Sequence, residues 1–210
     1  MDKMVVVGGG GHAKVLISVL KKLGLFEIIG YTDIVNRGDI LGVKYLGDDG
    51  VLPNMPHDIG GLCAAIGIGT IGVGDLRKGA MARVAGYGYH FPAIVSPHAI
   101  VNESVSVGDG TVVFDGAIIN SGTIVGKAVI LNSNCTVEHD CRLGDYVHVA
   151  PGATLSGGVE VGNESFIGAG ATIIQYKKIS ANCLIGAGAV VIDHITEPGT
   201  YVGTPARRRE

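Results

Sequence analysis

Residues 94–195 read, in blocks of six, IVSPHA, IVNESV, SVGDGT, VVFDGA, IINSGT, IVGKAV, ILNSNC, TVEHDC, RLGDYV, HVAPGA, TLSGGV, EVGNES, FIGAGA, TIIQYK, KISANC, LIGAGA and VVIDHI. Seventeen hexads pass without an insertion, and the second position is Val, Ile or Leu in every one, from Val95 to Val191. The sixth position is mostly Ala, Val, Thr, Ser or Cys. Such a period predicts a parallel β-helix, in which each hexad gives one short strand and a turn and three hexads close one triangular coil. The aliphatic second positions then point inward and stack on their equivalents one coil later, burying continuous apolar surface at about 25 cal/mol per Å². Seventeen hexads make a little under six coils, a prism about 27 Å long at roughly 4.8 Å per coil. Turns of this kind need residues that tolerate positive φ, and Asn together with 35 glycines supplies them. The period fails at Thr196-Glu197-Pro198-Gly199, so the segment Val202-Gly203-Thr204-Pro205-Ala206 is expected to cap the last coil.

Upstream of the repeat the grammar is different. Met4 to Val7 is a short apolar run that ends in Gly8-Gly9-Gly10-Gly11, and His12 to Leu23 carries Val15, Leu16, Val19, Leu20 and Leu23 at helical spacing. This reads as strand, glycine turn, helix. Phe26 to Tyr31 predicts a second strand ending at Asp33, Leu62 to Ile68 a third ending at Gly69, and Asp75 to Tyr87 a second helix. The alternation implies a small parallel sheet with flanking helices, a Rossmann-like α/β unit over residues 1–90, followed by the β-helix and its cap over residues 91–210. The segment Gly8-x-Gly10-x-x-Ala13 follows a strand and opens a helix, with Asp33 about 20 residues beyond. That spacing fits a phosphate approaching a helix N-terminus while an acid receives a hydroxyl. Fewer than 95 residues precede the repeat, too few for both halves of a dinucleotide-binding sheet, so a single nucleotide is the expected ligand.

Composition narrows the classes. Apolar residues make up 47% of 210, ample for a buried core, and neither a G-X-Y period nor a high proline content points to collagen or disorder. A formal charge of −3 gives no electrostatic footprint for nucleic acid, and Arg207 to Arg209 read as a short basic tail. Cys63, Cys135, Cys141 and Cys183 show no C-x-x-C spacing, and three of them occupy the small sixth position of hexads, so they read as packing residues rather than metal ligands. No stretch of 18 uninterrupted apolar residues occurs and the N-terminus has no signal-peptide pattern, so neither a membrane partner nor export is expected, and the cytoplasm is the expected compartment.

An unbroken hexapeptide repeat ending in Gly203-Thr204-Pro205-Ala206-Arg207 resembles the hexapeptide-repeat acyltransferases. The glycine turn with His12 and Lys14, together with Glu138-His139-Asp140 and His148-Val149-Ala150-Pro151, is similar to the sugar O-acyltransferases of sialic acid biosynthesis and to the N-acetyltransferases of nucleotide-linked 4-amino sugars in bacterial surface glycans. The resemblance implies a left-handed β-helix, a homotrimer, acetyl-CoA as co-substrate, no metal, and an N-terminal domain that binds the nucleotide sugar. N-acetylation of a 4-amino-4,6-dideoxy sugar is the implied reaction, with O-acetylation of sialic acid or another sugar as the alternative.

Acyl transfer from a thioester needs a base for the attacking amine or hydroxyl, donors for the developing oxyanion and a slot for CoA. His139 lies in a polar break within its hexad, flanked by Glu138 and Asp140, either of which can orient the imidazole. The resemblance makes His139 the general base and Asp140 its orienting carboxylate. Gly157 holds the same hexad position as His139 three hexads later, so it is expected one coil above, where the family's counterpart turns a backbone N–H to the acetyl carbonyl. Asn132 matches a position that contacts the sugar in the family it resembles, although an asparagine turn ladder explains it nearly as well. His148 follows His139 by half a coil, so the two cannot share a face of one prism, but in a trimer both can line one cleft, with His148 contacting the donor. Ala169, Gly186 and Ala187, within two Gly-Ala-Gly segments that stack one coil apart, leave room for a pantetheine arm, and Arg207 suits the CoA phosphates. Gly8, Gly10, His12, Lys14, Asp33, Gly69 and Thr70 are the expected nucleotide-sugar contacts. Two other readings stay open at this point: a trimeric scaffold that senses a nucleotide, and a metal-dependent hydration enzyme, which needs three well-placed imidazoles.

Overall fold

A computed structural model describes residues 1–55, 62–70 and 76–209. The described chain divides into two compact units, residues 1–70 with 76–97 and residues 98–209.

In the first unit, β1 (Asp2–Val7) runs into α1 (Gly11–Leu23), followed by β2 (Phe26–Thr32), β3 (Tyr45–Gly47), a 3₁₀ turn over Asp49–Asn54, β4 (Leu62–Ile66) and α2 (Leu76–Ala85). The four strands are parallel in the order β3-β2-β1-β4. The central strand β1 buries Met4 to Val7 completely or nearly so, as a parallel strand covered on both faces must. Of the stripe read from the sequence, Leu16, Val19 and Leu20 are buried, joined by Ala13 and Ile17, whereas Val15 is exposed and Leu23 only half-buried, a correction to that reading; Gly24 closes the helix at φ 66°. Two differences from the sequence reading matter. β3 was not expected, because three residues carry no alternation to read. The third expected strand stops at Ile66 rather than Ile68, which leaves Gly67 to Thr70 as a loop at its C-terminal end. Asp75, the expected start of the second helix, lies outside the described residues.

The second unit is the β-helix. Consecutive coils pair in strict register, each hexad with the third one after it: Thr136 with Thr154 and Thr172, Ile130 with His148 and Phe166, Ile124 with Arg142 and Glu160. Three parallel sheets result, and every second-position residue from Val113 to Val191 is buried, while Val101 in the first coil is 38% exposed. The fifth hexad position takes positive φ in all fifteen hexads from Ser104 to Gly188, and eight of those residues are not glycine, among them Ala128, Asp140, Tyr146 and Tyr176. The coil therefore imposes this conformation on side chains that disfavour it, a correction to the expectation that Gly and Asn account for the turns. Three buried hydroxyls at the sixth position tie adjacent coils: Thr111, Thr123 and Ser165 each donate to a carbonyl 15 residues on and accept an N–H 18 residues on. After the period fails, Gly199–Val202 adds one more parallel strand and Arg207–Arg208 folds back antiparallel on it. The edge of that added strand is thereby covered by the returning segment. Among the described residues, no helix is long and apolar enough to cross a membrane.

Candidate functional site

His139 stands at the fourth position of its hexad, on the turn between the strands Thr136–Val137 and Arg142–Leu143. Its turn is held from inside the prism by Thr123, fully buried, which donates to the carbonyl of Glu138 at 2.8 Å and accepts from the N–H of Cys141 at 3.1 Å. The two bonds bracket His139 and Asp140. Asp140 takes φ 59°, a value Asp tolerates better than most residues, and this swings its carboxylate back to the preceding ring. Oδ2 of Asp140 lies 2.8 Å from Nδ1 of His139. A carboxylate only accepts, so Nδ1 is the donor in this bond, and in the neutral imidazole the lone pair is then on Nε2.

Of the two flanking acids, Asp140 is the one that meets the imidazole. Glu138 is engaged elsewhere: its Oε2 accepts from Asn120 at 2.8 Å, and Asn120 in turn accepts from Asn102 at 2.6 Å, forming a polar ladder across three coils. Gly157 sits one coil above His139, as the hexad register requires, and a β-carbon there would stand 2.5 Å from Nε2 of His139. Glycine is therefore the residue that lets the imidazole lie against the next coil. The side chain of His139 is 54% exposed, open to a substrate.

His148 lies on a different sheet from the strands that flank His139, so one prism does not bring the two imidazoles to one face. It is 7% exposed, packs edge-on to Phe166 with ring centroids 5.0 Å apart, and its Nε2 is 3.2 Å from Nδ2 of Asn132. Asn132 is thus paired with His148, not with the His139 turn. Oδ1 of Asn132 accepts from Ser133 N–H, which fixes the amide so that Nδ2 points at the ring.

The two Gly-Ala-Gly segments split in role. A β-carbon on Gly168 would meet Ala187 N at 2.5 Å and one on Gly186 would meet Val202 at 2.7 Å, so close coil stacking accounts for both glycines. Gly170 and Gly188 face open space, and Ala169 and Ala187 are exposed beside them. Arg207 is 64% exposed and pairs with Asp193 at 3.4 Å. All four cysteines are buried and unpaired with one another. Burial pushes the thiols of Cys135 and Cys141 up to about 12 and about 11. Neither is a nucleophile near neutral pH.

In the first unit, the glycine turn is built for close approach. Gly8 adopts φ 103° and donates to Thr32 O at 2.7 Å, and Gly9 donates to Oδ2 of Asp33 at 2.7 Å. Oδ1 of Asp33 accepts from Val35 N–H at 3.0 Å, and Arg37 lies 3.6 Å from Oδ2. Partial burial opposes the charge on Asp33, but the Val35 and Gly9 N–H groups and Arg37 together hold its carboxyl below the usual range. Asp33 therefore anchors the turn. α1 begins at N-cap Gly10 with no side-chain cap and no acid in its first turn. The first N–H groups of a helix have no acceptor within the helix, so such an end suits an anion. Gly10 and Gly11 have open space where side chains would be, and the pocket before them, about 400 Å³, is lined also by Lys14, Arg37 and Asp39. His12 packs through its β-carbon against Gly69, next to Thr70 in the loop after β4. Sequence reading missed Arg37, Asp39 and Thr123. The signal for Thr123 was present, as hydroxyls at sixth positions otherwise filled by small apolar residues.

Among the described residues, no group of three or more His, Cys, Asp or Glu side chains is arranged to hold a metal ion.

Comparison with known proteins bears on both units. Residues 3–73 match the PglD N-terminal domain family, and residues 122–157 and 140–175 match the bacterial transferase hexapeptide family of six repeats. The acetyltransferase domain of PglB from Neisseria gonorrhoeae superposes with a TM-score of 0.92 at 32% identity over 100% of both chains. A histidine-to-asparagine mutant of perosamine N-acetyltransferase from Caulobacter crescentus, in complex with CoA and GDP-perosamine, gives 0.90 at 33% identity over 100% of this chain and 98% of that one. WeeI from Acinetobacter baumannii, at 24% identity and a TM-score of 0.88 over 100% of both chains, shares the fold.

Proposed function

The chain belongs to the hexapeptide-repeat acetyltransferases that carry a PglD-type N-terminal domain, and on that premise we propose that it transfers an acetyl group from acetyl-CoA to the amine of a nucleotide-linked 4-amino-4,6-dideoxy sugar. The observation that carries this reading is the stack of Asp140, His139 and Gly157, in which an imidazole oriented by a carboxylate sets its Nε2 against a glycine of the next coil. Relatives at 33% and 32% identity point the same way, since one is named a perosamine N-acetyltransferase and binds CoA with GDP-perosamine, and the PglB domain is solved with acetyl coenzyme A.

Chemistry follows from the residues. The acceptor nitrogen attacks the thioester carbonyl while Nε2 of His139 takes its proton. Asp140 stabilises the imidazolium that forms, and a backbone N–H at Gly157 meets the oxyanion. Collapse of the tetrahedral intermediate breaks the C–S bond, and the proton on Nε2 passes to the departing CoA sulfur. No covalent intermediate on the protein is needed. The pantetheine arm lies along Ala169, Gly170, Ala187 and Gly188, Arg207 serves the CoA phosphates, and His148, oriented by Asn132, contacts the donor. In the N-terminal unit, the diphosphate meets the α1 N-terminus at Gly10 with Lys14 beside it, and Asp33, Gly69 and Thr70 bound the nucleoside.

The active form is a trimer, because the two histidines occupy different faces of one prism and one cleft holds both only when a neighbouring prism contributes the second. A cytoplasmic location goes with it, since acetyl-CoA and activated sugars are made there. The test is a screen of UDP-, GDP-, dTDP- and CMP-linked 4-amino sugars with acetyl-CoA, read by thiol release, with sedimentation to fix the oligomer. Thiol release dependent on one such sugar is expected. No turnover with any, or full activity from a monomer, overturns the corresponding part.

A further inference from the structure

The sheet order β3-β2-β1-β4 places the reversal of strand order between β1 and β4, and in parallel sheets a ligand crevice opens outside the carboxyl ends of the strands at such a point. By that rule its rims are the segments that leave the two strands, the turn after β1, Gly8 to Gly11, and the loop after β4, Gly67 to Thr70. The first rim is pinned by Asp33 through Gly9 N–H. The second is pinned by a residue from α2 that the reading of the sequence passed over.

Arg77 is 3% exposed, and its Nη1 donates to the carbonyl of Ile66 at 2.7 Å and to that of Ile68 at 3.0 Å. A guanidinium stays charged at every relevant pH, so burying it is costly unless its donors are used. Here two of its hydrogen bonds clamp the end of β4 and the start of its loop. The clamped segment has almost no slack. A β-carbon on Gly67 would stand 2.8 Å from Ala13 and 2.9 Å from Gly8 O, and one on Gly8 would stand 2.9 Å from Ile68. The loop after β4, the glycine turn and the first turn of α1 are therefore fitted closely together, and displacing the carbonyls that Arg77 holds displaces the rim of the crevice.

We propose that Arg77 is a positioning residue for the nucleotide part of the substrate, holding the Gly67–Thr70 loop against the glycine turn so that the crevice is preformed. This rests on the nucleotide site assigned to the N-terminal unit above.

The test uses the full-length protein with Arg77→Met, which keeps the apolar stem, and Arg77→Lys, which keeps the charge but not the planar fork. Wild type is first titrated with UDP, GDP, dTDP and CMP by calorimetry. If none of them binds, the nucleotide assignment itself fails and this inference falls with it. With binding established, hydrogen exchange and steady-state kinetics with the accepted sugar nucleotide distinguish the outcomes. In Arg77→Met, amides of the loop after β4 are expected to exchange faster than in wild type, while those of the β-helix do not change. KM for the sugar nucleotide is expected to rise about tenfold, in keeping with the loss of charge-assisted hydrogen bonds, with KM for acetyl-CoA and kcat nearly unchanged. Arg77→Lys is expected to move both readouts the same way by less, and it carries the test alone if the Met variant fails to fold. Wild-type exchange in the loop, an equal rise in both KM values, or full restoration by Lys overturns the proposal.

Discussion

Nε2 of His139 lies 2.5 Å from the point where a β-carbon on Gly157 would stand, one coil away. The obstacle to a side chain at Gly157 is thus the far end of an exposed imidazole, not backbone, so an alanine there is absorbed by moving the ring.

It follows that Gly157→Ala should leave the fold intact and damage catalysis. The melting temperature is expected to stay close to wild type, while kcat falls by about 10²-fold or more, the scale on which a misplaced catalytic group costs rate. Paired melting and kinetic measurements check this. A variant that melts early, or one that keeps full kcat, contradicts the geometry.

Gly10 offers the converse test in the other unit. A β-carbon at Gly10 meets nothing within 4 Å, so Gly10→Val should fold normally while its side chain intrudes into the space before α1. Losing one or two N–H contacts to a phosphate costs roughly 1.5–3 kcal/mol, or about tenfold or more in KM for the sugar nucleotide. KM for acetyl-CoA should not move. Equal effects on the two substrates would remove the N-terminal unit from nucleotide binding. Asp33→Asn should act in the same direction, because it weakens the anchor on Gly9 N–H. Asp33 ionises below the usual carboxylate range, so its support of the turn is present above that range and is lost as pH falls through its lowered value.

The buried thiols give a stability prediction with a definite sign. Burial raises Cys135 from 9.0 to about 12 and Cys141 to about 11, so the unfolded chain ionises these groups while the folded chain keeps them protonated. Their contribution is complete below pH 9 and is lost as pH rises toward the folded values. Melting temperature measured from pH 8 upward should fall less steeply in Cys135→Ala than in wild type, and iodoacetamide should label Cys135 only when the protein is unfolded. Ready labelling of the folded protein at pH 8 would contradict the burial.

How far the sequence discloses this molecule depends on whether information is periodic. The hexad register repeats seventeen times, so strands, coil spacing and the stacking of Gly157 on His139 could all be read from it. Which acid meets His139 could not, because Glu138 and Asp140 are equivalent as neighbours. The choice is made by the αL turn at Asp140 and by Asn120, a full coil away, drawing Glu138 off. Asn132 illustrates the same limit: it lies in the hexad before His139 but its amide meets His148 across the coil stack. In the N-terminal unit the strand Tyr45–Gly47 and the clamp at Arg77 were invisible because each is defined by a partner distant in sequence, not by local pattern.

His139 decides whether the chemistry assigned to the β-helix is right. Removing a general base typically costs about 10²–10⁴-fold in rate, roughly 3–5 kcal/mol of transition-state stabilisation, and His139→Ala should lower kcat by that amount. Substrate binding should survive, since affinity for the nucleotide and for CoA resides in groups other than the imidazole. His139 is also 54% exposed and its ring lies against Gly157 and Asp140, so the substitution leaves no cavity and melting should be unaffected. Asp140→Asn should cost less than His139→Ala, because an amide oxygen can still accept from Nδ1 but brings no charge to stabilise the imidazolium. His148→Ala should cost less again if it contacts only the donor. Kinetics of the three variants at saturating acetyl-CoA rank them. If His139→Ala kept near wild-type kcat, the proton would have to leave by another route, such as an acceptor amine that reacts already deprotonated, and the stack on Gly157 would be packing and not catalysis.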